Sequence, residues 1–126
     1  MENLNIDETK YTPLINLDVN KGVFELVGKS YPENTFEFYK PMMDWTEEYF
    51  AGNEQDITIV NLEIIYFNSS SSKLFFDFFD LLEEAHNNDK NVEVNWIYEE
   101  GDEDILEKGE YISSVLSTPF KFTETI

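Results

Sequence analysis

Four consecutive serines, Ser69 to Ser72, separate an apolar stretch from a helical pattern in "YFNSSSSKLFF", residues 66–76. Hydroxyl groups in the first turn of a helix lie beside free backbone N–H groups and the positive end of the helix dipole, which together favour an anion. Such a serine can cap the helix, bind a phosphorylated ligand or carry a phosphate covalently. Because the chain has no arginine and only Lys73 is close by, a covalent phosphate is favoured over a bound ligand. A plain helix cap with solvated neighbours remains the alternative.

Other residues that could do chemistry are scarce. His86 is the only histidine, cysteine is absent, and no nucleophile elbow, P-loop or glycine-rich phosphate motif occurs. His86 falls at the end of a predicted helix, where an imidazole facing the dipole is ordinary. The stretch "EEGDEDILEKGE" offers carboxylates for calcium or magnesium, but it lacks the EF-hand spacing, and acids are expected in a first helical turn. The sequence therefore predicts a protein that is not an enzyme and has no metal or cofactor site.

The composition narrows the class of partner. The 126 residues include 27 acids and 8 bases, all lysines, for a net charge of −19, with 41% hydrophobic residues. This predicts one folded domain over residues 1–126 whose negative field repels nucleic acid. With no apolar run of membrane-spanning length, no secretory h-region and no cysteine, we expect a cytoplasmic protein without disulfides. An acidic binding or inhibitor domain that mimics nucleic acid would suit the charge, but it would not explain the serines.

Hydrophobic periodicity predicts the element order β-β-α-β-α-β-α-β. A turn at Gly22 joins the first two strands, and Asn34 with Glu37 forms a capping-box-like helix start. Pro41 leaves two possibilities for the first helix, a short turn followed by a helix or one kinked helix, and Gly109 is expected to interrupt or bend the third. The predicted strands are 14–18, 23–27, 57–67, 91–98 and 119–124. The predicted helices are 34–52, 73–86 and 101–117.

Strand alternation indicates which faces of the sheet are covered. Val60, Leu62, Ile64 and Tyr66 are expected on one face, opposite Asn61 and its polar neighbours. One buried and one partly wet face predict an α/β fold with a mixed sheet and helices mainly on one side. Successive right-handed crossovers place "SYPEN", "NSSSSK" and "YEEGDED" at one edge of that sheet, where α/β proteins usually handle ligands.

Several motifs in register carry a family resemblance. The phrases "YTPLINLD", "SYPENTFEFYKPMMDW", "IIYFNSSSSK" and "WIYEEGDED" resemble the SiaC-type biofilm regulatory phosphoproteins, over nearly the whole chain from about residue 11 to residue 122. The resemblance implies a STAS-like fold, similar to the anti-sigma-factor antagonists. It also implies a partner switch within cyclic-di-GMP signalling rather than catalysis.

The family pattern assigns roles to residues and partners. It implies phosphorylation by a serine/threonine protein kinase of the histidine-kinase-like ATPase type and dephosphorylation by a PP2C-type phosphatase. The unphosphorylated form is expected to bind and activate a diguanylate cyclase or another output protein. The phosphoacceptor follows the asparagine of the "YxN" turn, which is Ser69 here in place of the commoner threonine, with Ser70 and Ser71 as alternates. Asn68 and Lys73 are the residues expected to support the phosphate.

Some side chains near this turn are candidates for a partner interface. Phe76 and Phe79 project outside the main apolar stripe of the helix that follows the serines. They would form either an aromatic anchor patch beside the switch or additional core. Tyr31 and Glu33 in "SYPEN" are further candidates for contact with the partner.

Overall fold

The computed structural model describes residues 1–52 and 55–126, which form a mixed sheet of six strands with three helices. None of the helices within these residues is long and apolar enough to cross a bilayer. The elements, in chain order, are β1 (Leu4–Ile6), β2 (Leu14–Asp18), β3 (Val23–Ser30), α1 (Thr35–Ala51), β4 (Thr58–Phe67), α2 (Ser69–Asn87), β5 (Val92–Glu99), α3 (Glu103–Ser114) and β6 (Phe120–Thr125).

The order of strands across the sheet is the order along the chain, from β1 to β6. The β1–β2 and β2–β3 pairs are antiparallel, whereas β3–β4, β4–β5 and β5–β6 are parallel. Gly22 takes a φ of 67° in the turn before β3, as the hairpin prediction requires. The predicted α/β fold class with a mixed sheet is confirmed, and β1 precedes the strands that were predicted. A strand of three residues is too short to produce a periodic pattern.

The three helices cover one face of the sheet. Side chains from that face, such as Phe24, Leu62 and Trp96, share a single core with Tyr39 of α1 and Phe78 of α2. The opposite face is partly exposed and carries polar side chains across its centre. Asn95 donates to Asn61 at 3.3 Å and accepts from Thr123 at 2.7 Å on that face. The expected placement of the helices mainly on one face is therefore correct.

Helix α1 is one continuous helix through Pro41, which decides between the two possibilities for this segment. Asn34 is its N-cap and accepts a hydrogen bond from the backbone N–H of Glu37 at 3.0 Å. Proline interrupts a helix by removing an N–H and crowding the carbonyl four residues earlier. Pro41 is exposed, so this defect lies on the solvent side while the opposite side of α1 packs into the core.

A β-bulge near the end of β4 changes the predicted alternation. Gly28 pairs with Ile64 but Lys29 pairs with Tyr66, so Ile65 is an extra residue on β4. Ile65 and Tyr66 both lie outside the core and Phe67 turns back into it. The prediction of Tyr66 on the buried face is thus wrong, and 52% of its surface is exposed.

Helix α3 runs unbroken through Gly109, so the predicted interruption is wrong. A Cβ atom at this position would lie 2.5 Å from Nε1 of Trp96 and 2.6 Å from its Cε2. The indole of Trp96 is buried, and its N–H donates to the backbone carbonyl of Ile105 at 3.1 Å. The glycine therefore permits close approach of α3 to β5 instead of breaking the helix.

Glu83 connects α2 to the segment between α3 and β6. Its carboxylate accepts hydrogen bonds from the backbone N–H groups of Ser117 and Thr118, both at 2.8 Å, and from both hydroxyl groups. Partial burial raises the pKa of Glu83, but these four donors outweigh it and lower the pKa from 4.5 to about 2. The ionised form therefore stabilises the folded state.

This contact predicts a pH-dependent stability. The folded-state pKa of Glu83 is below the unfolded value, so its contribution is complete above about pH 5 and is lost as the pH falls toward 2. We expect Glu83→Gln to lower the free energy of unfolding by roughly 2 kcal/mol at pH 7, less than the full pKa shift implies because the carboxylate is only partly buried. Urea unfolding at pH 7 and pH 3 should show the gap between variant and parent narrowing in acid. An unchanged gap would contradict the stabilising role of the charge.

Candidate phosphorylation site

The parallel strands bring the predicted loops to one edge of the sheet. The residues that follow β3, β4 and β5 leave the carboxyl ends of three neighbouring strands. The first two loops are joined directly, because the backbone N–H of Asn68 donates to the carbonyl of Ser30 at 3.1 Å. This edge therefore holds the serine turn next to "SYPEN", as the crossover argument predicted.

The four serines occupy four different environments. Ser69, the first residue of α2, is exposed, and so is Ser70, which lines a cleft of about 380 Å³ with Lys73 and Phe36. Ser71 has no exposed surface. Ser72 is partly buried and lines a second hollow against α3. Only Ser69 and Ser70 therefore present their hydroxyl groups freely to an enzyme, and the burial of Ser71 argues against it as an alternate acceptor.

The N-cap of α2 is Asn68 and not a serine. Its side-chain oxygen accepts from the backbone N–H of Ser71 at 2.9 Å, and its carbonyl accepts from that of Ser72 at 2.9 Å. The first N–H groups of a helix have no partner within the helix, and Asn68 satisfies only one of them through its side chain. The N–H groups of Ser69 and Ser70 thus remain at the open end of the helix. Capping does not account for Ser69.

Ser71 has a structural role beneath this turn. Its hydroxyl donates to the carbonyl of Ser30 at 3.0 Å and lies 2.7 Å from the Ser30 hydroxyl, which is 2.6 Å from the hydroxyl of Tyr39. All three side chains have no exposed surface. Burial raises the pKa of Tyr39 well above its ordinary value, against a smaller opposing effect of the bond to Ser30, so the phenol stays protonated.

Lys73 lies one helical turn after Ser69 and is exposed. It shares the cleft with Ser70 and Asp77, and within residues 1–52 and 55–126 its ammonium group is in neither of the ion pairs, Lys40–Asp44 and Lys108–Asp104. Its position on the same helical face as Ser69 follows from the spacing of four residues. A phosphate-supporting role for Lys73 and Asn68 remains a prediction.

Three tyrosines lie side by side next to the serine turn. Tyr31 packs edge-to-face against Tyr11 at 5.2 Å and against Tyr66 at 5.7 Å between ring centroids. Tyr31 is partly exposed, and Glu33 in the same loop is exposed. Both candidates from "SYPEN" are thus accessible for contact with a partner. Sequence reasoning missed Tyr11 and Tyr66, although the unbroken apolar run at the end of β4 was a signal that alternation had stopped.

The two phenylalanines proposed for the interface differ in position. Phe79 has no exposed surface and packs against Trp96 and Phe120, so its assignment to a partner interface is wrong. It lies where α2 packs on β5 and β6, which extends the apolar stripe beyond the width expected from the helix alone. Phe76 is only partly buried and packs edge-to-face against the exposed Tyr111 of α3 at 6.2 Å. Phe76 therefore remains a candidate.

The acidic loop after β5 serves the start of α3. Asp102 is the N-cap and accepts from the backbone N–H of Ile105 at 3.1 Å, while Asp104 pairs with Lys108 at 2.6 Å. Acids at these positions interact favourably with the helix dipole. Within the described part of the chain, no group of three His, Asp or Glu residues could hold a metal ion. His86 lies in the last turn of α2, where a helix terminus accounts for it.

The chain matches the family model of the SiaC family regulatory phosphoproteins over residues 6–125. It is 36% identical over 120 residues to an uncharacterized protein of Pseudomonas aeruginosa. The match covers 95% of this chain and 94% of that protein. The predicted resemblance is therefore confirmed.

Solved structures give the same result. One similar chain comes from the crystal structure of the diguanylate cyclase SiaD in complex with its activator SiaC from P. aeruginosa. It has a TM-score of 0.92 and 34% identity, covering 97% of this chain and 99% of that one. The crystal structure of apo-SiaC from the same organism has a TM-score of 0.89 and 32% identity, covering 98% of this chain and 99% of that one.

Proposed function

This chain belongs to the SiaC family of regulatory phosphoproteins, and we propose that it works as a partner switch with Ser69 as its phosphoacceptor. A serine/threonine protein kinase of the histidine-kinase-like ATPase type phosphorylates Ser69, and a PP2C-type phosphatase reverses the modification. The unphosphorylated form binds and activates a diguanylate cyclase. Support for the cyclase comes from the similar chain that is solved as the activator of SiaD.

The position of Ser69 is the observation that carries the proposal. It is an exposed hydroxyl at the first residue of a long helix, directly after the capping residue Asn68, and capping does not require it. A phosphate there would lie beside the free N–H groups of the first turn and within reach of Lys73 on the same face. Ser70 is the remaining alternate, because it is also exposed.

The switch has to act locally. A phosphoserine adds about −1.5 to −2 charges, a small change against the net charge of −19, and salt screens it beyond roughly 8 Å. The phosphate must therefore either reshape the serine turn, held by the helix start and Lys73, or lie within the surface that a partner covers. That surface includes Tyr31, Glu33 and Phe76, which surround the turn and are at least partly accessible.

The test is intact-mass measurement and site mapping of the protein from its native cells, with phosphatases inhibited, beside a pull-down with the unphosphorylated form. We expect a single phosphoryl group on Ser69 and capture of a kinase, a phosphatase or a cyclase. A phosphoryl group on Ser70 alone would move the acceptor by one residue. No phosphorylation in any growth condition, with no such partner, would overturn the proposal and favour an acidic binding domain.

A further inference from the structure

The buried hydroxyl groups of Tyr39, Ser30 and Ser71 form a chain with one direction. A carbonyl oxygen can only accept, so the proton of Ser71 is donated to the Ser30 carbonyl. The Ser30 hydroxyl must then donate to Ser71, and Tyr39 must donate to Ser30, because each hydroxyl has one proton. All three protons are used, which leaves none of these three hydroxyl groups unsatisfied.

The series of three hydroxyl groups joins three elements at the edge of the sheet that carries Ser69. Tyr39 belongs to α1, Ser30 ends β3, and Ser71 lies in the first turn of α2, two residues after Ser69. The Ser30 carbonyl accepts from Asn68 as well as from Ser71, and the N–H of the next residue, Tyr31, donates to the carbonyl of Tyr11 at 2.8 Å. Opening of either loop therefore breaks bonds that hold the other.

We propose that the Tyr39–Ser30–Ser71 hydroxyl chain makes the first turn of α2 and the loop of residues 31–34 open and close as one unit. Tyr39 and Ser71 are then positioning residues, which set the presentation of Ser69 from within the core. A role of this coupling in regulation rests on the proposed function. A phosphate on Ser69 that disturbs the first turn of α2 would also change how Tyr31 and Glu33 are presented to a partner. The coupling itself exists in the unmodified protein.

Helix α1, which contains Tyr39, also offers a matched control. Tyr49 is 2% exposed, and its hydroxyl lies 2.9 Å from that of Thr58, which is fully buried. Thr58 begins β4, so this pair lies at the opposite edge of the sheet from Ser69. Tyr39→Phe and Tyr49→Phe each remove one buried phenolic hydroxyl from α1, and they differ in which edge is affected.

The experiment is amide hydrogen exchange, followed by NMR, on unmodified parent, Tyr39→Phe and Tyr49→Phe proteins. We expect Tyr39→Phe to accelerate exchange at Asn68, Ser71 and Tyr31 together by about fivefold, the factor that corresponds to one net hydrogen bond. Rates are corrected for the change in global stability, measured at Leu62 in the core. Tyr49→Phe should leave those three amides unchanged after the same correction.

A second variant removes Ser71, at the other end of the hydroxyl chain from Tyr39. Ser71→Ala should accelerate the amides of both Asn68 and Tyr31, and the double variant with Tyr39→Phe should add little to either single change, since both break one chain. Equal effects of Tyr39→Phe and Tyr49→Phe, or acceleration in one loop only, would overturn the coupling. Because no kinase is involved, such a result would leave the phosphorylation of Ser69 untouched, and a failure to find phosphate on Ser69 would leave the coupling measurable.

Discussion

Ser69→Ala is expected to bind the proposed diguanylate cyclase equally well before and after incubation with the kinase and ATP, whereas the parent protein loses affinity more than about a hundredfold on phosphorylation. The loss follows from placing a doubly charged group within a covered surface. Covering this charge with a partner surface that supplies no cation costs several kcal/mol, and about 3 kcal/mol already exceeds a hundredfold. Titration calorimetry of each form against the cyclase measures the difference.

Two further variants make this prediction specific. Ser70→Ala removes the neighbouring exposed hydroxyl and should keep the full response to the kinase. Ser69→Asp has less charge than a phosphate and should bind less well than Ser69→Ala, though better than the phosphorylated parent. Equal affinities for Ser69→Ala and Ser69→Asp, or loss of the response in Ser70→Ala only, would rule out Ser69 as the switch.

Gly109→Ala is expected to be among the most destabilising single changes in the chain. In a helix, alanine is more stable than glycine by about 1 kcal/mol, but here its Cβ would overlap the indole of Trp96. Trp96 cannot move aside easily, because it is buried and bonded to the carbonyl of Ile105. We expect the free energy of unfolding to fall by about 3 kcal/mol, the upper end of the usual cost of overpacking. The midpoint of urea unfolding measures it.

Gly52→Ala provides the control for this substitution. Gly52 is the C-cap of α1, its φ of −123° suits any residue, and no atom of the described residues outside its chain neighbours lies within 4 Å of an added Cβ. The change should alter stability by less than about 1 kcal/mol. If Gly109→Ala proved as harmless as Gly52→Ala, the close packing of α3 on β5 would be incorrect.

Local sequence patterns predicted most of the helices and strands. The features that they did not predict depend on contacts between elements. The helix start at Asn34 and the strong strand β4 follow from caps and periodicity. The bulge at Ile65 depends on pairing with β3, and the continuity of α3 at Gly109 depends on where Trp96 lies. Neither can be deduced from its own segment.

At the candidate site, too, some features were predicted from the sequence and others were not. The position of the serine turn at the ligand-handling edge was predictable, because parallel strands and right-handed crossovers fix it. The different environments of Ser69 and Ser71 were not predicted, because the expected helix began only at residue 73. Extended back to Ser69, the periodic pattern places Ser71 on the buried face of α2, three residues before Leu74 and seven before Phe78. Of the two alternatives for Phe79, the structure supports additional core and not the partner interface, because α2 buries a wider face than its own periodicity indicates.

The strand order described above has a consequence for how the chain folds during its synthesis. Each strand pairs with the strand made just before it, so the sheet can grow at one edge as the chain leaves the ribosome, and no strand has to wait for a distant partner. Pairing between sequence neighbours limits each loop closure to one hairpin or one crossover helix. The serine turn is completed late, because Ser30 is synthesised well before Ser71 and the two hydrogen bonds between them can form only after α2 begins to emerge.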